Sequence, residues 1–220
     1  MKKYLEILKK CPLFYGIGDN DLITMLHCLG ARTDVFDKKY TVMAEGSPAK
    51  YIGIVLSGSV QTEQTDFYGN RSILSVIGEG EIFGEAFSCN ETEKLPVSVI
   101  ATKESEIMFI ECSHILHTCK NSCGFHSQLI YNLMKDIAAK TVQFHQRIEV
   151  ISKRSTREKL LAYLSMMSRK EGNSEFFIPF DRQELADYLE VDRSGLSAEI
   201  GKLQKEGILA SHKNFFRLYK

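Results

Sequence analysis

Arg193, Ser194 and Ser197 follow one another closely in the segment Asp192-Arg193-Ser194-Gly195-Leu196-Ser197, and all three carry groups that can meet the edge of a base pair. A guanidinium donates two parallel hydrogen bonds to guanine or binds a phosphate; a hydroxyl donates or accepts and so discriminates less. Asp192 stands in front of them as a helix N-cap, and Leu196, Ile200 and Leu203 form the buried stripe of the helix it starts. Upstream, Asp181 caps another short helix, and Glu184 completes a capping box three residues later. Leu185, Ala186 and Leu189 share the inner face of that helix, and Arg182 and Gln183 open it. Two capped helices joined by a tight turn fit a helix-turn-helix, whose second helix enters the DNA major groove. The apolar stretches around Lys213-Asn214 read as two short strands, the wing of a winged helix-turn-helix. Candidate DNA contacts are therefore Arg182, Gln183, Asp192, Arg193, Ser194, Ser197, Lys213 and Arg217, with Arg193 on a guanine or a phosphate and Arg182, Lys213 and Arg217 on phosphates.

Other clusters carry weaker chemistry. Cys119 and Cys123 lie among His114, His117 and His126, a set that could supply soft metal ligands or a redox thiol pair. The plainer reading is a helix start and loop with small buried thiols, and no metal site is assigned. The six cysteines include no C-x-x-C, and in a reducing compartment they stay free thiols. Nothing catalytic stands out. Glu85 has no second carboxylate at a recognisable spacing, and no Ser or Cys sits in a nucleophile elbow. Gly78-Glu79-Gly80 and Gly84 make no dinucleotide fingerprint, because no strand-to-helix unit surrounds them. An enzyme is not expected.

The elements that must position these residues are legible along the chain. Its 220 residues suit two small domains or one large one. No apolar run is long enough to span a bilayer, so no membrane partner is expected. The start resembles an amphipathic helix rather than a signal peptide, which points to the cytoplasm. Net charge is zero but uneven: from Lys153 onward there are thirteen Lys and Arg against ten Asp and Glu, which leaves −3 on the preceding residues. Residues 1–30 read as helical. From Val35, short β-rich runs alternate with glycines at positions 46, 53, 58, 69, 78, 80 and 84, the pattern of a sandwich or barrel. Near Ser122 a long helix begins, with Phe125, Leu129, Leu133, Ile137, Thr141, Phe144, Ile148 and Ile151 at coiled-coil spacing. Its simplest partner is the same helix of a second subunit, through Leu129, Leu133, Ile137, Phe144 and Ile148. Lys153-Arg154-Ser155-Thr156-Arg157 reads as a polar hinge. The expected class is α+β: an effector-sensing β-roll with N-terminal helices over 1–121, a dimerisation helix over 122–152, and a winged helix-turn-helix over 153–220.

That order, together with Phe83-Gly84-Glu85, Arg182-Gln183-Glu184-Leu185-Ala186 and Arg193-Ser194, resembles the cyclic AMP receptor protein/FNR family of bacterial transcription regulators over essentially the whole chain. The resemblance implies a cyclic-nucleotide-binding-like roll and a homodimer that senses a ligand or redox state. It also implies a near-palindromic operator on double-stranded DNA and contact with RNA polymerase, as activator or repressor. The effector site would include Gly84 and Glu85, then Lys94, Leu95 and Pro96, with Thr141 and Phe144 from the long helix. Here the chain departs from nucleotide-binding members, which carry Arg, then Ser or Thr, about ten residues after the Gly-Glu pair. Leu95 stands at the Arg position and Pro96 has no amide proton, so tight cyclic AMP binding is not expected. A small effector with a hydrophobic body is. With only Cys11 and Cys28 near the N-terminus, an iron–sulfur cluster of the family's kind is not expected, and haem is not expected as cofactor either. The recognition helix departs too, holding Arg193, Ser194 and Ala198 where members commonly have Arg, Glu and Arg, so the common operator is not expected. Two alternatives stay open: a redox- or metal-responsive regulator using Cys119/Cys123 and nearby His, and a regulatory scaffold that does not bind DNA.

Overall fold

β3 (Tyr51–Ser57) and β8 (Ser105–Glu111) are apolar at nearly every central position, so both faces of each must be covered. The computed structural model, which describes residues 2–90, 93–116 and 125–219, covers them with two different cores. Val55, Ile107 and Phe109 point between two sheets, where they meet Val60, Ile77, Phe83 and Val99. Their neighbours Ile54, Leu56, Met108 and Ile110 point the other way, as a period of two requires. There they pack on α1 (Leu5–Leu8), α2 (Asp19–Cys28) and the first half of α5 (Phe125–Ile151), through Leu8, Leu22, Leu26, Leu129 and Leu133.

The first sheet runs β1 (Arg32–Phe36), β8, β3, β6 (Ile82–Phe83). The second runs β2 (Thr41–Met43), β7 (Ser98–Ala101), β4 (Val60–Thr65), β5 (Arg71–Ile77). β3 pairs antiparallel with both β8 and β6. Gly53 lets the roll close tightly, because a Cβ there would lie 2.1 Å from Cζ of the Phe83 ring.

The chain divides into two compact units, one of Met1–Asp66 with Leu74–Thr141 and one of Phe67–Ile73 with Val142–Lys220. α5 is the helix that passes from one to the other. The second unit contains α6 (Thr156–Glu171), β9 (Glu175–Phe177), α7 (Arg182–Leu189), α8 (Arg193–Lys205), β10 (Leu209–His212) and β11 (Phe215–Leu218). Leu160, Leu164, Leu185, Leu189, Leu196, Leu203 and Phe216 are its buried centre. β10, β11 and β9 form an antiparallel sheet in that order. The basic stretch read as a hinge contains a helix start: Ser155 N donates to Glu158 Oε2 at 3.0 Å, and Glu158 N donates back to Ser155 Oγ at 3.2 Å.

The expected dimer stripe is corrected along α5. Leu129 and Leu133 are fully buried in their own unit and Ile137 packs against the same core, so these three are not free to meet a second subunit. The roll and its N-terminal helices already cover that face. Exposed instead are Tyr131, Met134, Ala138, Thr141, His145 and Ile148, spaced alternately three and four residues apart. That is the spacing of a coiled-coil seam. Of the expected contacts only Ile148 belongs to it, and the exposed Phe144 lies one position away from His145.

Candidate nucleic-acid interface and effector site

The helix pair is built by its caps. Glu184 N donates to Asp181 Oδ1 at 2.9 Å, and Asp181 N donates to Glu184 Oε2 at 2.8 Å, so both halves of the capping box form. α7 ends at Glu190, in the left-handed region at φ +53°. Asp192 then caps α8, accepting from Ser194 Oγ at 2.5 Å and from Gly195 N at 2.7 Å. These bonds, with Ser194's the largest influence, hold the Asp192 carboxyl below its ordinary range. Asp192 and Ser194 thus position the helix, while Arg193 and Ser197 stand exposed at its start. Among the described residues no acid pairs with the Arg193 guanidinium. Along the exposed side of α8, Ala198 and Gly201 are small and Lys202 and Lys205 are basic. Those two lysines lie outside the first turn that the sequence pattern picks out, although basic residues in a last turn are a readable signal.

The structure gives several expected contacts other partners. The Arg182 guanidinium lies 5.7 Å from the centre of the Phe216 ring, and its desolvation there pulls its pKa down. Arg182 therefore braces α7 against the wing. Gln183 Nε2 donates to Asp187 Oδ1 at 2.8 Å. Arg217 pairs with Glu175, its cross-strand neighbour, at 2.8 Å, and hydrogen bonds to Glu175 and Tyr219 push its pKa up. Lys213, exposed at the wing turn with φ +53°, is the wing cation without an ion pair among the described residues. Lys213→Ala should weaken binding to all sequences alike and lower the log–log salt slope by about 0.9, the contribution of one phosphate contact. Arg217→Ala should change that slope less. Anisotropy titrations across a salt series give both values.

In the first unit, β6 leads through Gly84 into α3 (Glu85–Ser88). Gly84 sits at φ +83°, and a Cβ there would meet the Tyr51 carbonyl oxygen at 2.9 Å, so only glycine fits. Glu85 is buried, and Lys140 Nζ on α5 donates to its Oε1 at 3.0 Å. The same ammonium donates to the Ile82 carbonyl at 2.7 Å and lies 3.0 Å from Asp136 Oδ2. Glu85 Oε2 is buried and has no hydrogen-bond partner among the described residues. Glu85 and Asp136 thus share one ammonium, that of Lys140.

Several expected effector contacts change accordingly. α5 meets Glu85 through Lys140, whereas Thr141 is exposed and its Oγ1 donates back to the Ile137 carbonyl at 2.9 Å. Phe144 is half-exposed and belongs to the other unit. Lys94 and Pro96 are exposed, while Leu95 is buried and its backbone bonds Gly46 and Ser47 at 2.8 Å each. Nothing in the local sequence singles out Lys140, since it lies 55 residues from Glu85.

Of the Cys/His group, His114 Nδ1 lies 3.0 Å from the Leu29 carbonyl and His126 Nε2 lies 2.7 Å from the Ile115 carbonyl. His117, Cys119 and Cys123 lie outside the described residues. Among the described residues no helix is long and apolar enough to cross a membrane.

Two family models match the chain. The sequence model of the cyclic nucleotide-binding domain matches residues 33–122, and that of the Crp-like helix-turn-helix domain matches residues 158–218. The cyclic AMP receptor protein of Thermus thermophilus is 22% identical over 92% of this chain and 89% of its own. Among solved structures, the c-di-GMP responsive global regulator CLP of Xanthomonas campestris shares the fold with a TM-score of 0.75 at 18% identity, covering 92% of this chain and all of that one (100%). FixK2 of Bradyrhizobium japonicum does so at 0.67 and 20% identity, covering 86% and 93%. With an N-terminal effector-binding domain, a long helix and a capped helix-turn-helix, the chain is a DNA-binding transcription regulator, not an enzyme, and belongs to the CRP/FNR family.

Proposed function

We propose that the protein works in the cytoplasm as a homodimer that binds a near-palindromic operator, with one α8 in each half-site. The observation that carries this reading is Arg193, exposed at the first turn of α8 and unpaired among the described residues. The exposed seam on α5 supports the two-fold partner, because a two-fold dimer sets its recognition helices about one DNA turn, roughly 34 Å, apart. Contact with RNA polymerase then follows from where the operator lies, which decides activation or repression. Arg193→Ala should weaken specific binding by about 1–3 kcal/mol and relax the preference at one base of each half-site. Competition titrations with operator variants read both effects; an unchanged base preference would leave Arg193 a backbone contact.

A small effector in the roll controls this affinity in the proposal, and it is not cyclic AMP. Leu95 is buried where the nucleotide-binding pattern has an arginine, Pro96 has no amide to offer, and Lys140 already engages Glu85. Titration calorimetry with cyclic AMP should show no submicromolar binding. The effector in this proposal is instead an organic molecule with a hydrophobic body, and no resident cofactor takes part.

A further inference from the structure

Cys89 and Cys112 are 23 residues apart in sequence, yet their sulfurs lie 3.2 Å apart. Cys89 closes α3, the helix that begins with Glu85, and Cys112 opens α4 (Cys112–Leu116) at the end of β8. The backbone holds both without help from the thiols. Cys89 N donates to the Glu85 carbonyl at 2.8 Å, Cys112 N to the Lys50 carbonyl at 2.9 Å, and Ser88 Oγ to the Tyr51 carbonyl at 2.9 Å. A disulfide needs the sulfurs at about 2.05 Å, so an approach of about 1 Å makes the bond. The two thiols are unequal. Cys112 is buried, whereas Cys89 is half-buried. A hydrogen bond between them favours the thiolate on Cys89 and pushes the Cys112 thiol up, while burial works against ionisation at both.

We propose that Cys89 and Cys112 are a hydroperoxide-reactive dithiol whose disulfide pins α3, and Glu85 with it, to the end of β8. The Cys89 thiolate attacks the terminal oxygen of a hydroperoxide, the O–O bond breaks, and the departing oxygen leaves protonated as an alcohol or water. Cys89 becomes a sulfenic acid. Cys112 then loses its proton and attacks the Cys89 sulfur, so the S–O bond breaks, water leaves and the S–S bond forms. Two thiols together give up two electrons, and the peroxide takes them. Cys11 does not compete, because burial pushes its thiol up to about 12. Cys28 is exposed and has no thiol neighbour among the described residues. That the disulfide alters DNA affinity rests on the regulator reading; its formation does not.

The test treats reduced full-length protein with one equivalent of hydrogen peroxide, then blocks free thiols and maps peptides by mass spectrometry. The expected product is a Cys89–Cys112 cross-linked peptide, lighter by two hydrogens and restored by dithiothreitol. Cys112→Ser should stop at a Cys89 sulfenic acid that dimedone traps, and Cys89→Ser should leave Cys112 reduced. Both thiols still free after peroxide is consumed, or a cross-link confined to other cysteines, would overturn the proposal. Affinity for an operator found by selection from random DNA should change by about five-fold or more between reduced and oxidised protein, a modest allosteric coupling, and should not change in Cys112→Ser. Equal affinities would overturn the coupling alone. Absence of operator binding in both states would count against the regulator reading, while the peptide map would still decide the thiol pair.

Discussion

Met134→Glu combined with Ile148→Glu is expected to yield a folded monomer and to weaken operator binding by about 10²–10⁴-fold, the range that linked binding sites lose when separated. Both side chains are exposed, at 66% and 56%, so their replacement leaves the core of the chain intact. In the proposed dimer each glutamate would face its own copy across the two-fold axis, where like charges must lose water together. Sedimentation should report the monomer, circular dichroism an unchanged helix content, and titration the lost affinity. Leu133→Glu is the informative control. Its site is buried within the chain, so that change should unfold the first unit rather than dissociate a dimer. A dimer that survived both seam glutamates would place the two-fold contact elsewhere.

Lys140→Met should lower the stability of the first unit by about 3–5 kcal/mol, the usual effect of removing one partner of a buried ion pair. The reason is the company Glu85 keeps. Its side chain is 7% exposed and that of Asp136 11%, and the Lys140 ammonium lies 3.0 Å from each. Without it, two buried carboxylates face each other and one must take up a proton or water must enter. Adding Glu85→Gln to Lys140→Met should recover part of the loss, because a neutral amide costs less to bury than an unpaired carboxylate. Urea unfolding of the two variants supplies the comparison. Equal stabilities for Lys140→Met and the unaltered protein would mean that Lys140 does not compensate Glu85.

What could be read from the chain depended on whether the signal was local. Asp181 with Glu184, and Asp192 before Arg193, were readable because capping is a contact across three residues. Ser155 with Glu158 carried the same signal, but the basic residues around it drew the reading towards a hinge. The wing was legible in the two strands flanking Lys213 and Asn214, whose pairing the structure shows from Leu209 to Leu218. The dimer stripe went wrong for a physical reason. Apolarity alone chooses Leu129, Leu133 and Ile137, but a helix that packs on its own domain spends its most apolar face there. The exposed seam contains Ala138, Thr141 and His145, which no apolar count selects. Lys140 beside Glu85, and Cys112 beside Cys89, join segments far apart in sequence, and no periodicity announces such pairs.

Selection of bound fragments from random DNA by the reduced, full-length protein tests the central claim most directly. A dimer that reads DNA through two copies of α8 should enrich an inverted repeat whose half-sites are centred about 10–10.5 base pairs apart, or a whole multiple of that spacing. Arg193→Ala should lose the preference at one base of each half-site. Enrichment of a single unrepeated half-site, or a pool with no sequence in common, would contradict that claim.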